Sequence, residues 1–163
     1  MDTSQDLQYS SSKEYLTANP QALKVKEGGH FIGRYRLDSR EWESISTQRL
    51  FYLPNASDMS ILIAYFANEN DSHSQNLSLF WKGALAVGTY DFSKNDIDLS
   101  GIFEQFDHAD EYNFKADSGQ LIVEHVGADY ISGKLNFTGL PRKGEYKKVT
   151  VEITDFKALR PNS

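Results

Sequence analysis

Three Gly-flanked runs towards the C-terminal end of the chain alternate apolar and polar residues, a pattern that suits strands and not helices. They are Gln120–Val126, Asp129–Thr138 and Lys147–Thr154. In the second, Ile131, Leu135 and Phe137 share one parity, while Tyr130, Ser132, Lys134, Asn136 and Thr138 share the other. In the third, Val149, Val151 and Ile153 alternate with Lys148, Thr150, Glu152 and Thr154. Successive side chains of a strand point to opposite faces, so period-two patterning means one dry face and one wet face. The separators, Val126-Gly127-Ala128-Asp129 and Gly139-Leu140-Pro141-Arg142-Lys143-Gly144, are turn signals. Ser118 to Phe156 is therefore expected as a meander of three antiparallel strands.

The remaining chain extends the pattern. Residues 1–27 read as a polar tether, with at most a short helix within Ser11–Val25 that has Ser12 as N-cap and Pro20 as its stop. Residues 28–163 read as a single all-β domain, as the 163-residue length allows. Its first strand, His30–Leu37, puts Phe31, Tyr35 and Leu37 on one parity and Arg34 and Arg36 on the other. Met59–Phe66 is apolar on both parities, which suits a central strand covered on both faces. Further strands are expected over Gln48–Leu53, Leu77–Trp81, Gly88–Phe92, Leu99–Phe106 and Tyr112–Ala116. Asp38–Ser46 reads as a loop or a single helical turn carrying Trp42, and 68–76 as an exposed loop. Asp117-Ser118-Gly119 reads as a hairpin turn and Ala158–Ser163 as a tail. Eight or nine strands with almost no helix give an antiparallel β-sandwich, with a closed lipocalin-like β-barrel as the alternative.

Composition removes several functions. A net charge of −6 argues against grip on a phosphate backbone, which needs a concentrated basic surface. The densest basic stretch, Arg142–Lys148, is interrupted by Glu145 and suits a solvated loop. The absence of cysteine excludes disulfides, thiolate metal sites and a cysteine nucleophile. No apolar run approaches the roughly 20 residues of a membrane-spanning helix. The first residues, Met-Asp-Thr-Ser-Gln-Asp, carry neither a basic nor an apolar leader region. Two expectations follow: a cytoplasmic chain, or an exported one whose leader has been removed. The polar lead-in favours the second, with a periplasmic or cell-surface location and a lipid anchor if that leader was a lipoprotein leader.

Candidate chemistry is sparse. Asp96-Ile-Asp98-Leu-Ser100-Gly101, with Asp107 at the twelfth position, places oxygen ligands where a calcium loop wants them and Gly at the sixth. Against it, Leu99 and Phe103 put bulk inside the loop, and a β-turn leading into a strand explains the same residues. Asp91, Asp96, Asp98, Asp107, Asp110 and Glu111 form an acidic stretch of turns. A hydrolase would need two of them facing each other at about 5–9 Å. The histidines, His30, His73, His108 and His125, show no metal-ligand spacing, and His125 shares parity with Leu121 and Val123, as a partly buried residue would. Neither a nucleophile elbow nor a phosphate-binding loop is present. The sequons at Asn55, Asn70, Asn76 and Asn136 match chance in an Asn- and Ser-rich chain. Aromatics are abundant, with nine Tyr and ten Phe. Trp42, Tyr65, Trp81, Tyr90 and Tyr130 are the candidates for a ligand-contact face.

The C-terminal half also carries a resemblance. Gly88-Thr-Tyr-Asp-Phe92, Tyr130-Ile-Ser-Gly133-Lys-Leu-Asn-Phe137 and Val149-Thr-Val-Glu-Ile-Thr154-Asp-Phe156 resemble elements of small uncharacterised Bacteroidetes-type β-sandwich lipoproteins. Asp155-Phe156 stands where that family often has Gly, and the lipobox cysteine is missing. The resemblance implies an exported, non-enzymatic domain and no catalytic residue. The sequence therefore points to a binding or adhesion-type module for a protein or glycan ligand, without a cofactor unless calcium occupies the Asp96 loop. The alternatives are a barrel holding a small apolar ligand and a hydrolase using the acidic turns.

Overall fold

The structure, a computed structural model, describes residues 29–56, 58–66, 75–106 and 109–161. The tether and its helix, most of the loop at 68–76, His73, His108 and Asp107 lie outside them. Ten strands follow in order: β1 (His30–Leu37), β2 (Glu43–Thr47), β3 (Leu50–Ala56), β4 (Met59–Tyr65) and β5 (Gln75–Lys82). Then come β6 (Gly88–Asp91), β7 (Ser100–Gln105), β8 (Tyr112–Val126), β9 (Tyr130–Lys143) and β10 (Val149–Leu159). Every pairing is antiparallel, and the strands form one sheet in the order β2-β1-β10-β9-β8-β7-β5-β4-β3, with β6 attached to β8.

The all-β expectation and the β8-β9-β10 meander hold. Two packed sheets do not: a single sheet curls into a nearly closed, barrel-like shape. Tyr35 of β1 and Phe103 of β7 are four strands apart in the sheet, yet their ring centroids lie 4.7 Å apart. The inward parities of β1 to β5 and β7 to β10 merge into a single buried cluster that includes Phe31, Leu62, Trp81, Phe103, Leu135 and Val151. Dry parities from both ends of the chain thus fill one interior.

β4 has a second dry side, as its unbroken apolar run requires. All seven of its residues are buried. Met59, Ile61, Ile63 and Tyr65 pack on the outer face with Phe80, Ile102 and Phe106. Beside them on that face are the buried polar residues Asn76, Ser78, Glu104 and Asn113, where the Asn113 amide donates to Glu104 at 3.0 Å.

Several boundaries differ from the sequence expectation, each for a physical reason. Glu43–Thr47 is a strand, not a loop: it is a short edge strand that needs only Ile45 and Thr47 inward, so its pattern is faint. Asp117-Ser118-Gly119 makes no hairpin. β8 runs through it with a bulge between Ala116 and Ser118. Pro141 does not end β9, because β10 starts opposite Gly139 and leaves the next residues paired on the β8 side alone. Ala158 and Leu159 are the end of β10 rather than a tail, and Ala158 is fully buried. His125 is exposed because a bulge between Val123 and His125 breaks its parity with Val123.

The bulges coincide with glycines that admit no side chain. A Cβ on Gly33 would lie 2.0 Å from the Glu152 carbonyl oxygen, on Gly119 2.2 Å from that of Asn136, and on Gly133 1.9 Å from that of Ile122. Gly119 sits beside a bulge of its own strand, and Gly33 faces a bulge of β10 at Thr154. Gly133 faces the Val123/His125 bulge of β8 and the Ile153/Phe156 bulge of β10. Bulges bend and twist strands, and here they bend a long sheet towards closure.

Candidate functional site

One end of the barrel is opened by its connections. β1 ends at Leu37, and Asp38 turns the chain with a positive φ of 54°, a conformation Asp tolerates. The Asp38 carboxylate accepts the Lys147 and Lys148 amides at 2.7 and 2.9 Å, and its own amide donates to the Lys148 carbonyl at 2.9 Å. These bonds clamp the β9–β10 turn, which carries Tyr146, against the β1–β2 loop, which carries Arg40 and Trp42. From the other side come the end of β7, with Gln105, and the start of β8, with Tyr112. Between them lies a cavity of about 730 Å³.

Aromatic rings lead from the core to this mouth. Phe103 stacks on Tyr112 at 5.7 Å and 2°, and Tyr112 meets Tyr146 edge-on at 5.9 Å and 83°. Offset and edge-to-face pairs of this kind stabilise beyond their buried area. Tyr35 and Tyr112 are buried, while Tyr146 and Trp42 are half-buried at the rim.

Polar atoms tie the rings together. Gln75, the first residue of β5, donates its amide to the Tyr35 hydroxyl at 3.0 Å and to the Tyr112 hydroxyl at 2.7 Å. The two phenols share Gln75 as donor, and the Glu43 carboxylate acts on Tyr35. At the rim, Tyr146 donates to Asp110 at 2.7 Å and accepts from Arg40 at 2.8 Å, while the Gln105 amide donates to the Asp110 carbonyl at 2.5 Å. Burial pushes the Tyr35 and Tyr112 phenols well above the ordinary tyrosine range. The Glu43 carboxylate adds to this at Tyr35, and the neighbouring Tyr35 phenol does so at Tyr112. Tyr146 is raised first by its bond to Asp110 and then by burial. All three stay neutral near pH 7, so they offer hydrogen bonds rather than a phenolate nucleophile or base.

The candidate contact aromatics do not form one face. Tyr65 and Trp81 are buried on opposite sides of the sheet, Tyr65 in the outer cluster and Trp81 in the interior. The Tyr90 hydroxyl is bonded to the Ala86 backbone at 2.8 Å. Tyr130 stacks on His125 at 4.3 Å, with the Lys157 ammonium 4.5 Å from its ring. Trp42 alone of the five borders the cavity, and its ring lies 3.9 Å from the Arg34 guanidinium and 4.7 Å from that of Arg36. No protein-family model, curated protein or solved structure matched the chain.

The acidic stretch divides in two. β6 and β7 are successive partners on one side of β8, separated by an excursion over residues 92–99. Asp91 ends β6 and Asp96 and Asp98 lie in that excursion, while Asp110 and Glu111 lie beyond β7 at the mouth. Asp96 accepts the Asp91 amide at 3.0 Å. Asp91 accepts the amide and hydroxyl of Ser93, and those bonds hold its carboxyl below the usual range. Ser100 begins β7, so the second half of the twelve-residue loop runs extended through Gln105. Among the described residues, no group of three or more His, Asp or Glu is placed to hold a metal ion.

The mouth residues Tyr35, Gln75, Gln105, Tyr112 and Tyr146 were not singled out from the sequence as site residues. A faint signal was present: tyrosine replaces phenylalanine on dry parities near strand ends, which supplies a polar atom where an interior meets water.

Proposed function

We propose that the protein is a non-enzymatic binding module whose ligand seat is the mouth cavity between Tyr35, Tyr112, Tyr146 and Trp42. The observation that carries this is the cavity. Its volume of about 730 Å³ falls in the range of small-molecule sites, roughly 300–1,000 Å³. Its walls combine ring faces with a fixed hydrogen-bond network, so a bound molecule would meet both an apolar surface and oriented polar atoms. A phenol held neutral binds and positions, which favours recognition over catalysis.

The barrel-like form supports this seat over an apolar ligand deep inside, because one cluster of side chains occupies the interior. A smaller apolar pocket of about 130 Å³ lies between Leu50, Tyr52 and Leu159. It is too small for a drug-sized ligand. Export to the periplasm or cell surface stays part of the proposal, on the C-terminal resemblance, and fractionation of the source cells tests it.

The seat is tested by the intrinsic fluorescence of Trp42 at its rim. Titration with a panel of mono- and disaccharides and small aromatic amines and alcohols should give a saturable change for at least one compound. Tyr146→Ala, a rim substitution, should abolish that change and leave the circular dichroism spectrum intact. A panel with no saturable member, or binding indifferent to Tyr146→Ala, overturns the proposal.

A further inference from the structure

The hydrogen-bond directions at the mouth indicate the charge of its ligand. The Glu43 carboxylate, which acts on the Tyr35 phenol, can only accept hydrogen bonds. The Tyr35 and Tyr112 oxygens both accept from the Gln75 amide. At the rim the same logic holds: Arg40 donates to Tyr146, Tyr146 donates to Asp110, and the Gln105 amide is bonded to the Asp110 carbonyl. The Gln75 amide hydrogens and the Tyr146 hydroxyl are thus turned to the protein itself. Glu41, Glu43 and Asp110 add carboxylate lone pairs at the cavity wall.

Charge agrees with this. The cavity is bordered by three carboxylates and one guanidinium, Arg40, which is engaged with the hydroxyl and ring of Tyr146. The nearby Lys143 ammonium is paired with Glu111. Glu41 and Glu43 are exposed and form no ion pair among the described residues. Aromatic faces attract cations through their quadrupole, and carboxylates accept from ammonium N–H groups. Three carboxylates against one guanidinium, with rings around them, suit a ligand that brings its own donors and a positive charge.

We infer that the mouth cavity binds a small organic amine in its protonated form, with the ammonium between Glu43 and Asp110 and the carbon skeleton against Tyr112 and Tyr146. This rests on the cavity being a binding seat and adds the chemical class of the ligand.

Isosteric pairs test the inference. Calorimetric titration compares glucosamine with glucose, and benzylamine with benzyl alcohol, at low and at moderate salt. In at least one pair the amine is expected to bind about tenfold tighter than its neutral twin, and more weakly as salt rises. Glu43→Gln and Asp110→Asn should each weaken the amine about tenfold, and weaken it more than they weaken the twin. Glu41→Gln, at an exposed position outside the phenol network, provides the same readout should Glu43→Gln disturb the fold. If a neutral twin binds as tightly as its amine and Tyr146→Ala abolishes both, the amine inference is overturned while the cavity remains a seat. If neither member of either pair binds, the inference is overturned, and the broader panel decides the seat separately. Amine binding that ignores Tyr146→Ala places the site elsewhere and also overturns it.

Discussion

Gly133→Ala tests whether the glycine-marked bulges shape this barrel. Gly133 lies in β9 between β8 and β10, both of which bulge opposite it. A Cβ there would sit 1.9 Å from the Ile122 carbonyl oxygen and 3.1 Å from the Val123 Cα. Ordinary contact begins near 3.4 Å, so β8 and β9 must part locally by about 1.5 Å. The obstacle is backbone, which cannot rotate away as a side chain would. An N···O distance of about 2.9 Å then stretches beyond hydrogen-bond range. Losing two ladder bonds costs about 1–3 kcal/mol net, and displacing the buried neighbours Ile131, Leu135 and Val123 costs a similar amount to overpacking a core, about 1–3 kcal/mol. Partial relaxation makes these overlap, so the expected loss is about 3 kcal/mol. Small domains have about 5–15 kcal/mol in total. With a urea m-value near 2 kcal/mol per molar, the midpoint should fall by about 1.5 M. Gly83→Ala is the control. Gly83 has a φ of 81° with nothing within 4 Å of an added Cβ, so it carries only the left-handed backbone cost of about 1 kcal/mol. If urea melts followed by circular dichroism show Gly133→Ala no less stable than Gly83→Ala, the close approach does not constrain the sheet and the reasoning fails.

Two further outcomes follow from the same geometry. Tyr35 and Tyr112 ionise at higher pH in the folded chain than when unfolded, so the fold binds more protons than the unfolded state at alkaline pH. Their contribution is therefore fully present below the ordinary tyrosine value near 10 and is lost as pH rises above it. Denaturant midpoints should fall above about pH 10, less steeply in Tyr35→Phe, while a phenolate absorbance titration shows a late-ionising fraction. At the Asp96 loop, the Asp91 and Asp96 carboxylates accept local donors and Ser100 already belongs to β7, so thermal melts in calcium and in EDTA should coincide. A calcium-dependent rise in Tm would reinstate the loop as a cation site.

The long, strongly patterned strands were legible in the sequence. β1 has the same bounds in both, since Phe31, Tyr35 and Leu37 alternate cleanly and Gly28-Gly29 and Asp38 punctuate it. β4 was legible because only a strand buried on both sides explains Ser60 among Met59, Ile61, Leu62, Ile63 and Ala64. Punctuation was the weak point. Gly119 and Pro141 look like chain reversals, yet one accompanies a bulge and the other lies where a neighbouring strand has not begun. The two environments use the same residues, so local sequence does not separate them. β2 was lost because an edge strand buries little, and with it went Glu43, one of the two carboxylates at the centre of the site.

The site was less legible than the fold because it depends on curvature, which period-two patterning does not record. Gln75 of β5 and Tyr35 of β1 are separated in the sheet by β7, β8, β9 and β10. In a flat sheet with strands about 4.8 Å apart, five such steps would hold them about 24 Å apart. Their side chains instead meet at 3.0 Å. Two side chains reaching across an interior can make that bond only if the sheet has curled nearly shut. The bond is therefore a consequence of closure before it is a part of the site. The same holds for the contact of Phe103 of β7 with Tyr35 of β1, whose ring centroids lie 4.7 Å apart. The bulges at Gly33, Gly119 and Gly133 bend the strands that bring these side chains together. These glycines, one of which reads as a turn in the sequence, act in the folded chain on the spacing of the phenols that line the mouth.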